Sequence, residues 1–281
     1  MKNILMFLSV VPFGLYGQSL GKERINKIRS SVVHIFVDGL SKGTGFIVLD
    51  KHGKMLVLTC WHTIENSNAN ESNPVGNNEQ ITARFNDGEE VKIAILPDIL
   101  GSDRSSAITY DYCFLEFLSL PKQKISPFKI GAFSDIEEGD RIYMCGFPLN
   151  IDQHFISTGI LSTKYIGKTD KNNQDVNCAL MDISLSVGNS GGPIIKFCRN
   201  AKKDIVIGIA TYVVSHGRKE MPKYHIWLDQ ARQEAKHDNN PMLNGILATL
   251  EGIVTATQYT TNGIGGCYSI DYAMNYLKSA K

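Results

Sequence analysis

The sequence has no C-x-x-C pair, no long block of one charge sign, no internal repeat and, beyond its amino terminus, no apolar run long enough to span a bilayer. Each of these gaps excludes something. Without closely spaced thiols there is no zinc motif, and neither a metal nor an organic cofactor is implied. With 29 basic against 28 acidic residues and a net charge of +1, there is no surface for tracking phosphates, so nucleic acid is not an expected partner. Stable membrane insertion of the mature chain is not expected either. Regular helical crossovers between the apolar runs are also missing, which argues against a parallel α/β sheet.

What remains is globular composition. At 281 residues, 43% hydrophobic and 20% charged, the chain can bury one large core or two smaller ones. It begins with Lys2, an apolar stretch from Ile4 to Tyr16 broken by Pro12 and Gly14, and small or polar residues at Gly17 to Ser19. A membrane span needs about 20 apolar residues, so residues 1–18 read as a signal peptide and the protein as exported, periplasmic or secreted. Six cysteines (Cys60, Cys113, Cys145, Cys178, Cys198, Cys267) are widely spaced, and most lie in apolar strand-like runs such as YCFLEF and IYMCGF. Disulfides could persist after export, but the setting favours buried free thiols.

After a short helical lead-in near Arg24 to Arg29, brief apolar or alternating runs follow one another, among them SVVHIFV, GTGFIVL, KMLVLTC, QITARF, EVKIAIL and DIVIGIATYVV. About a dozen such runs and few helices predict an all-β barrel or sandwich. Asn86-Asp87-Gly88-Glu89 predicts a tight hairpin with a primed turn. Residues 120–140, with two prolines and poor periodicity, read as a connector between two β units of comparable size. A polar loop at 66–79 and a stretch at about 217–262 with helical spacing in YHIWLDQARQEAKH stand apart, the latter read as a surface helix covering one barrel.

One stretch carries the chemistry. In SVGNSGGPI, residues 186–194, a single serine sits among glycines, which allow positive φ and close approach to the main chain. A serine hydroxyl is nearly inert alone and needs a base, a group to orient that base, and donors for an oxyanion. Of seven histidines, His62 closes the apolar run MLVLTCWHT and would stand at a barrel rim; His52 lies in a solvated turn and His34 within a strand. Asp111 directly precedes the apolar YCFLEF, where a carboxylate needs partners that an imidazole N–H supplies. Asp98 and Asp103 lie in loop-like sequence and fit less well.

The order His62, Asp111, Ser190 and the stretches around it resemble a trypsin-like serine protease of the HtrA (DegP) type. GTGFIV at 43–48, LTCWHT at 58–63, the hairpin at 81–96, DYCFLEF at 111–117, IGAFSDIEEGDRIYMCGFP at 130–148, STGILS at 157–162, MDISLSVGNSGGPI at 181–194, VIGIAT at 206–211 and NGIGGCYSIDYAMNYL at 262–277 occur in the family's order. The resemblance implies a chymotrypsin-like double β-barrel with a C-terminal helix and a partly helical insertion, the N-terminal barrel over 19–125 and the C-terminal one over 126–281. It implies an endopeptidase that forms an acyl-enzyme on Ser190 and takes protein or peptide substrates, exported or misfolded proteins among them. The N–H groups of Gly188 and Ser190 would form the oxyanion hole. Ser184 would line the base of the specificity pocket and Ile209, Ala210 and Thr211 its wall, so no strict preference for Arg or Lys follows. Asp182 matches an acidic position of the family and reads as a hydrogen-bonded structural carboxylate.

The sequence departs from the family in several places. No room is seen for a PDZ domain after the protease domain, Val187 replaces a common proline, Gly266 replaces an aromatic, and 217–262 is an insertion. Two rival readings differ in their requirements. Gly188 to Gly192 also satisfies G-x-S-x-G, but an α/β-hydrolase needs a helix after the serine, and Gly191-Gly192-Pro193 blocks one. A catalytically silent peptide-binding barrel would keep the fold without the chemistry.

Overall fold

The structure, a computed structural model, describes residues 20–65, 80–169, 172–198, 203–213, 246–247, 249–250 and 264–279. The expected signal peptide, the 66–79 loop and nearly all of the 217–262 stretch lie outside these residues. Among the described residues no helix is long and apolar enough to cross a membrane.

Helix α1 (Lys22–Arg29) leads into β1 (Val32–Val37), β2 (Leu40–Leu49) and β3 (Met55–Thr59), followed by β4 (Ile81–Arg84), β5 (Glu90–Ile95) and β6 (Cys113–Phe117). These six strands close a barrel in the order β1-β2-β3-β6-β5-β4, each neighbour antiparallel. β5 alternates exposed and buried along EVKIAI, as a strand with one face on the core must, whereas VVHIFV of β1 is buried throughout. Short helices α2 (Trp61–Ile64), α3 (Pro97–Leu100) and α4 (Arg104–Thr109) sit in the connections.

The second half holds β7 (Lys129–Ile130), β8 (Arg141–Gly146), β9 (Phe155–Lys168), β10 (Asp175–Asp182), β11 (Pro193–Cys198), β12 (Lys203–Val213) and β13 (Ile264–Ser269), then α5 (Asp271–Ser279). Its strand order is β11-β8-β9-β10-β13-β12-β7, and a further β11–β12 pairing closes a ring of six with β7 added in parallel on β12. The architecture is therefore all-β and chymotrypsin-like, as the sequence predicts.

Two local expectations need correction. The 120–140 segment is more than a connector, because Lys129–Ile130 pairs with Ile205 and Val206, and Phe133–Asp135 forms a 3-10 turn. The β4–β5 hairpin turns where expected but not by a primed turn. Gly88 N–H bonds Phe85 C=O at 3.0 Å and only Gly88, with φ 88°, enters the left-handed region. The turn thus keeps ordinary φ at Asn86 and Asp87 and places the positive φ on the glycine, where it costs least.

Each half is strapped by a helix from the other end of the chain. Arg24 of α1 forms a bidentate ion pair with Asp204 of β12, and its guanidinium lies 4.8 Å from the Tyr143 ring centre. In return α5 stacks Tyr272 on Tyr110 at 4.0 Å and Tyr276 on Phe114 at 5.2 Å. Between the halves, Phe147 stacks on buried His34 at 4.3 Å and tilts against buried His154 at 4.3 Å.

Among the described residues, Cys60, Cys113, Cys145, Cys178 and Cys267 are buried, as their apolar surroundings predict.

Candidate active site

His62 reaches its place because β3 ends at Thr59 and the chain turns at once into the single helical turn α2, pinned by the buried Trp61. Its side chain is 42% exposed, at the junction of the two halves. The N–H groups of a first helical turn have no acceptor within the helix. Asp111 supplies one: its Oδ1 accepts the His62 backbone N–H at 2.9 Å, and its Oδ2 lies 2.7 Å from His62 Nδ1. An ionised carboxylate only accepts, so the ring carries its proton on Nδ1, and Nε2 is the ring nitrogen whose chemistry is that of an acceptor.

Asp111 itself has φ 52°, a left-handed conformation tolerated by aspartate. Its neighbours hold it there. Tyr110 is stacked under Tyr272, and the fully buried Tyr112 hydrogen-bonds through its hydroxyl to Asp103, with Ser106 Oγ 3.1 Å away. Burial pushes the Tyr112 phenol well above its ordinary range, so it remains a neutral donor. Asp103, expected to be a weak candidate, thus serves to anchor the residue after Asp111.

Ser190 lies between two consecutive turns. Asn189 N–H bonds Ser186 C=O at 3.0 Å, and Gly192 N–H bonds Asn189 C=O at 2.9 Å, with Gly188 at φ 91° and Gly191 at φ 83°. A side chain at Gly191 would also meet Thr44 O and Thr59 Oγ1 at 2.2 Å, so no other residue fits. The turn is laced to the first barrel: Thr44 N–H donates to Ser190 C=O at 2.8 Å, and Thr44 Oγ1 donates to Gly188 C=O at 2.6 Å while accepting the Phe147 N–H at 3.1 Å. A Cβ on Gly43 would stand 2.8 Å from Ser190 O and 2.9 Å from Cγ2 of Thr63, the neighbour of His62. Among the described residues, no acceptor takes the N–H of Gly188 or of Ser190. Val187, in place of the expected proline, accepts the Leu149 N–H at 2.6 Å through its carbonyl.

The remaining expected residues are placed as follows. Ser184 is exposed in the link between β10 and the serine turn. Ile209 and Ala210 are buried and pack in hydrophobic clusters, and Ala210 bonds Gly191 and Gly192 through its main chain at 2.8 and 2.9 Å. Thr211 is half-buried and donates to Ile209 C=O at 2.9 Å. The Asp182 carboxylate is exposed and among the described residues meets no donor, unlike the hydrogen-bonded carboxylate expected there. His52 is exposed and His34 buried.

Two residues at the site escape a reading of the sequence. Thr44 is a single hydroxyl inside an ordinary strand. Cys60, two positions before His62, points its Sγ at Ala210 C=O, 3.3 Å away, with Thr211 Oγ1 at 3.9 Å. Burial, and after it the Asp111 charge, pushes this thiol well up, so it is neutral. Cys60 Sγ, a His62 ring nitrogen and an Asp111 carboxylate oxygen all lie within 4.8 Å of one another.

Residues 43–209 match the model of the trypsin-like peptidase domain. The chain is 26% identical over 206 residues to the serine protease HTRA1A of Danio rerio, an alignment covering 69% of this chain and 36% of that protein. It is 26% identical over 154 residues to a probable periplasmic serine endoprotease, DegP-like, of Pseudomonas fluorescens, covering 55% of this chain and 26% of that protein. It therefore spans well under half the length of these relatives. Among solved structures, the HtrA-type protease AlgW with a tripeptide superposes with a TM-score of 0.56 at 16% identity, over 91% of this chain and 61% of that one, a likeness of fold.

Proposed function

This chain belongs to the trypsin-like peptidase domain family, and on that premise we propose that it is a serine endopeptidase acting through Ser190, His62 and Asp111. The observation that carries this reading is the double contact of Asp111 with the His62 main chain and ring, because it selects the tautomer a general base requires. His62 Nε2 takes the hydroxyl proton as Ser190 Oγ bonds to the scissile carbonyl carbon. The carbonyl oxygen becomes an oxyanion that accepts from the N–H groups of Gly188 and Ser190. One such donor contributes on the order of 100-fold or more in turnover. The imidazolium then gives its proton to the leaving amine, the peptide C–N bond breaks, and water, deprotonated by the same ring, releases the acyl group.

The substrate class follows from the pocket residues. Ser184 brings no carboxylate to the pocket base, and Ile209, Ala210 and Thr211 form an uncharged wall, so the preferred side chain before the cleaved bond is small or medium and uncharged. The targets in this reading are exported or misfolded proteins, and the DegP-like relative, a probable periplasmic enzyme, supports an exported location for this chain.

A fluorophosphonate probe tests the reading. The folded wild-type protein should be labelled, denaturation should abolish labelling, and Ser190→Ala should remove it completely. Absence of labelling in a folded wild-type sample, with and without peptide, would instead favour the silent peptide-binding barrel.

A further inference from the structure

We propose that Cys60, His62 and Asp111 form a binding site for a thiophilic divalent cation of the Zn2+ class, and that occupancy of this site switches the catalytic pair off. Three donors of suitable chemistry, a thiol sulfur, a ring nitrogen and a carboxylate oxygen, lie within 4.8 Å of one another. Cys60 and His62 flank Trp61 at the passage from β3 into α2, and Asp111 joins them from the turn before β6, 49 residues on from His62. In a tetrahedral zinc site, with metal distances of about 2.0 to 2.3 Å, donors stand roughly 3.2 to 3.8 Å apart. The cluster reaches that geometry with side-chain shifts of about 1 Å.

Charge favours the same assignment. A dication with one thiolate, one carboxylate and one neutral imidazole makes an electrically neutral group, the arrangement that costs least where Cys60 is fully buried and Asp111 largely so. A hard cation such as Mg2+ would choose an oxygen-rich, octahedral site over this one. His62, 42% exposed, is the donor of the three that solvent reaches most.

Binding is a proton exchange. The thiol loses one proton to solvent as the Sγ–metal bond forms. The imidazole keeps its single proton but moves it from Nδ1 to Nε2, because Nδ1, the nitrogen 2.7 Å from Asp111, now holds the metal. A ring protonated on Nε2 cannot accept the Ser190 proton. Inhibition thus follows from the exchange of tautomer and leaves the substrate pocket open. The inhibitory half of the inference rests on the endopeptidase reading; the metal site does not.

The test uses the full chain and two readouts. Titration with Cd2+ should produce an ultraviolet thiolate-to-metal charge-transfer band saturating at one ion per chain, absent in Cys60→Ala and shifted at least tenfold to higher Cd2+ in Asp111→Asn. Zn2+ should block fluorophosphonate labelling of the wild type, a chelator should restore it, and Cys60→Ala, labelled normally without metal, should need at least tenfold more Zn2+. Should Cys60→Ala fail to fold, Cys60→Ser replaces it with the same expectation. No Cd2+ band in the wild type, or a band and a Zn2+ response unchanged by Cys60 substitution, overturns the site. A Cd2+ band that depends on Cys60 in a protein the probe never labels keeps the site and removes the protease reading instead.

Discussion

Replacing Asp111 by Asn preserves shape but turns one acceptor oxygen into a donor. The amide then donates either toward the His62 backbone N–H, where two donors would clash, or toward ring Nδ1, which drives the proton to Nε2. The second arrangement is the stable one, and it yields the wrong tautomer. Turnover of peptide substrate by Asp111→Asn should fall on the order of 10^4-fold with little change in KM, as steady-state kinetics will measure. The contact between His62 and Asp111 and the sharp turns around Ser190 fall where the sequence breaks its own pattern: a histidine closing an apolar run, a carboxylate opening one, a serine among glycines. Cys60 and Thr44 conform to the pattern of their strands, and their roles exist only through contacts with residues far away along the chain. The hydrogen-bonded role expected of Asp182 came from its match to an acidic position of the family, whereas here the residue faces solvent.

Among the elements, β2 ties the serine turn to the loop after β8 through one hydroxyl. Thr44→Val keeps the branched, buried shape and deletes the oxygen, leaving Gly188 C=O and Phe147 N–H without their partner. Unsatisfied buried groups cost about 1–3 kcal/mol each, so urea unfolding should show a loss of about 2 kcal/mol or more. Fluorophosphonate labelling should slow as well, because the Gly188 peptide loses its fixed orientation. Strand existence was read correctly from alternation, as in EVKIAI of β5, since burial of one face enforces period two. Turn type and short pairings were not. Asp-Gly accepts both a primed turn and one with positive φ on the glycine alone, and the flanking register decides between them. β7 has only two residues, too few for any periodicity, and exists because β12 offers it an edge.

At the scale of the whole molecule, acid sensitivity is centred on the junction between the halves. Burial holds His34 down to about 4, with nearby Arg84 adding to the effect and Asp152 opposing it. Burial likewise holds His154 down to about 4, where Arg29 and His34 act in the same direction and its contact with Val32 C=O, at 2.9 Å, opposes. His34 Nε2 meets Ser41 Oγ at 2.6 Å, and His154 Nδ1 meets Asn86 Oδ1 at 2.9 Å. Both rings are neutral in the fold, while the unfolded chain takes up protons near 6.5. The unfolded state therefore binds more protons between pH 6.5 and about 4, and stability present in full above pH 6.5 is lost as the pH falls through that window. The thermal midpoint should drop steadily across it, and His154→Gln should flatten the slope by removing one of the two groups. Calorimetry against pH measures both.

The crossed straps, Arg24 on Asp204 and Tyr272 with Tyr276 on Tyr110 and Phe114, give the molecule a topology in which neither half owns its own fastening. Tyr272 stacks beneath the very loop that carries Asp111. Melting of the last helix would therefore reach the Asp111 carboxylate, and through it the His62 ring, from the far end of the chain, which makes that helix a remote handle on the proposed triad.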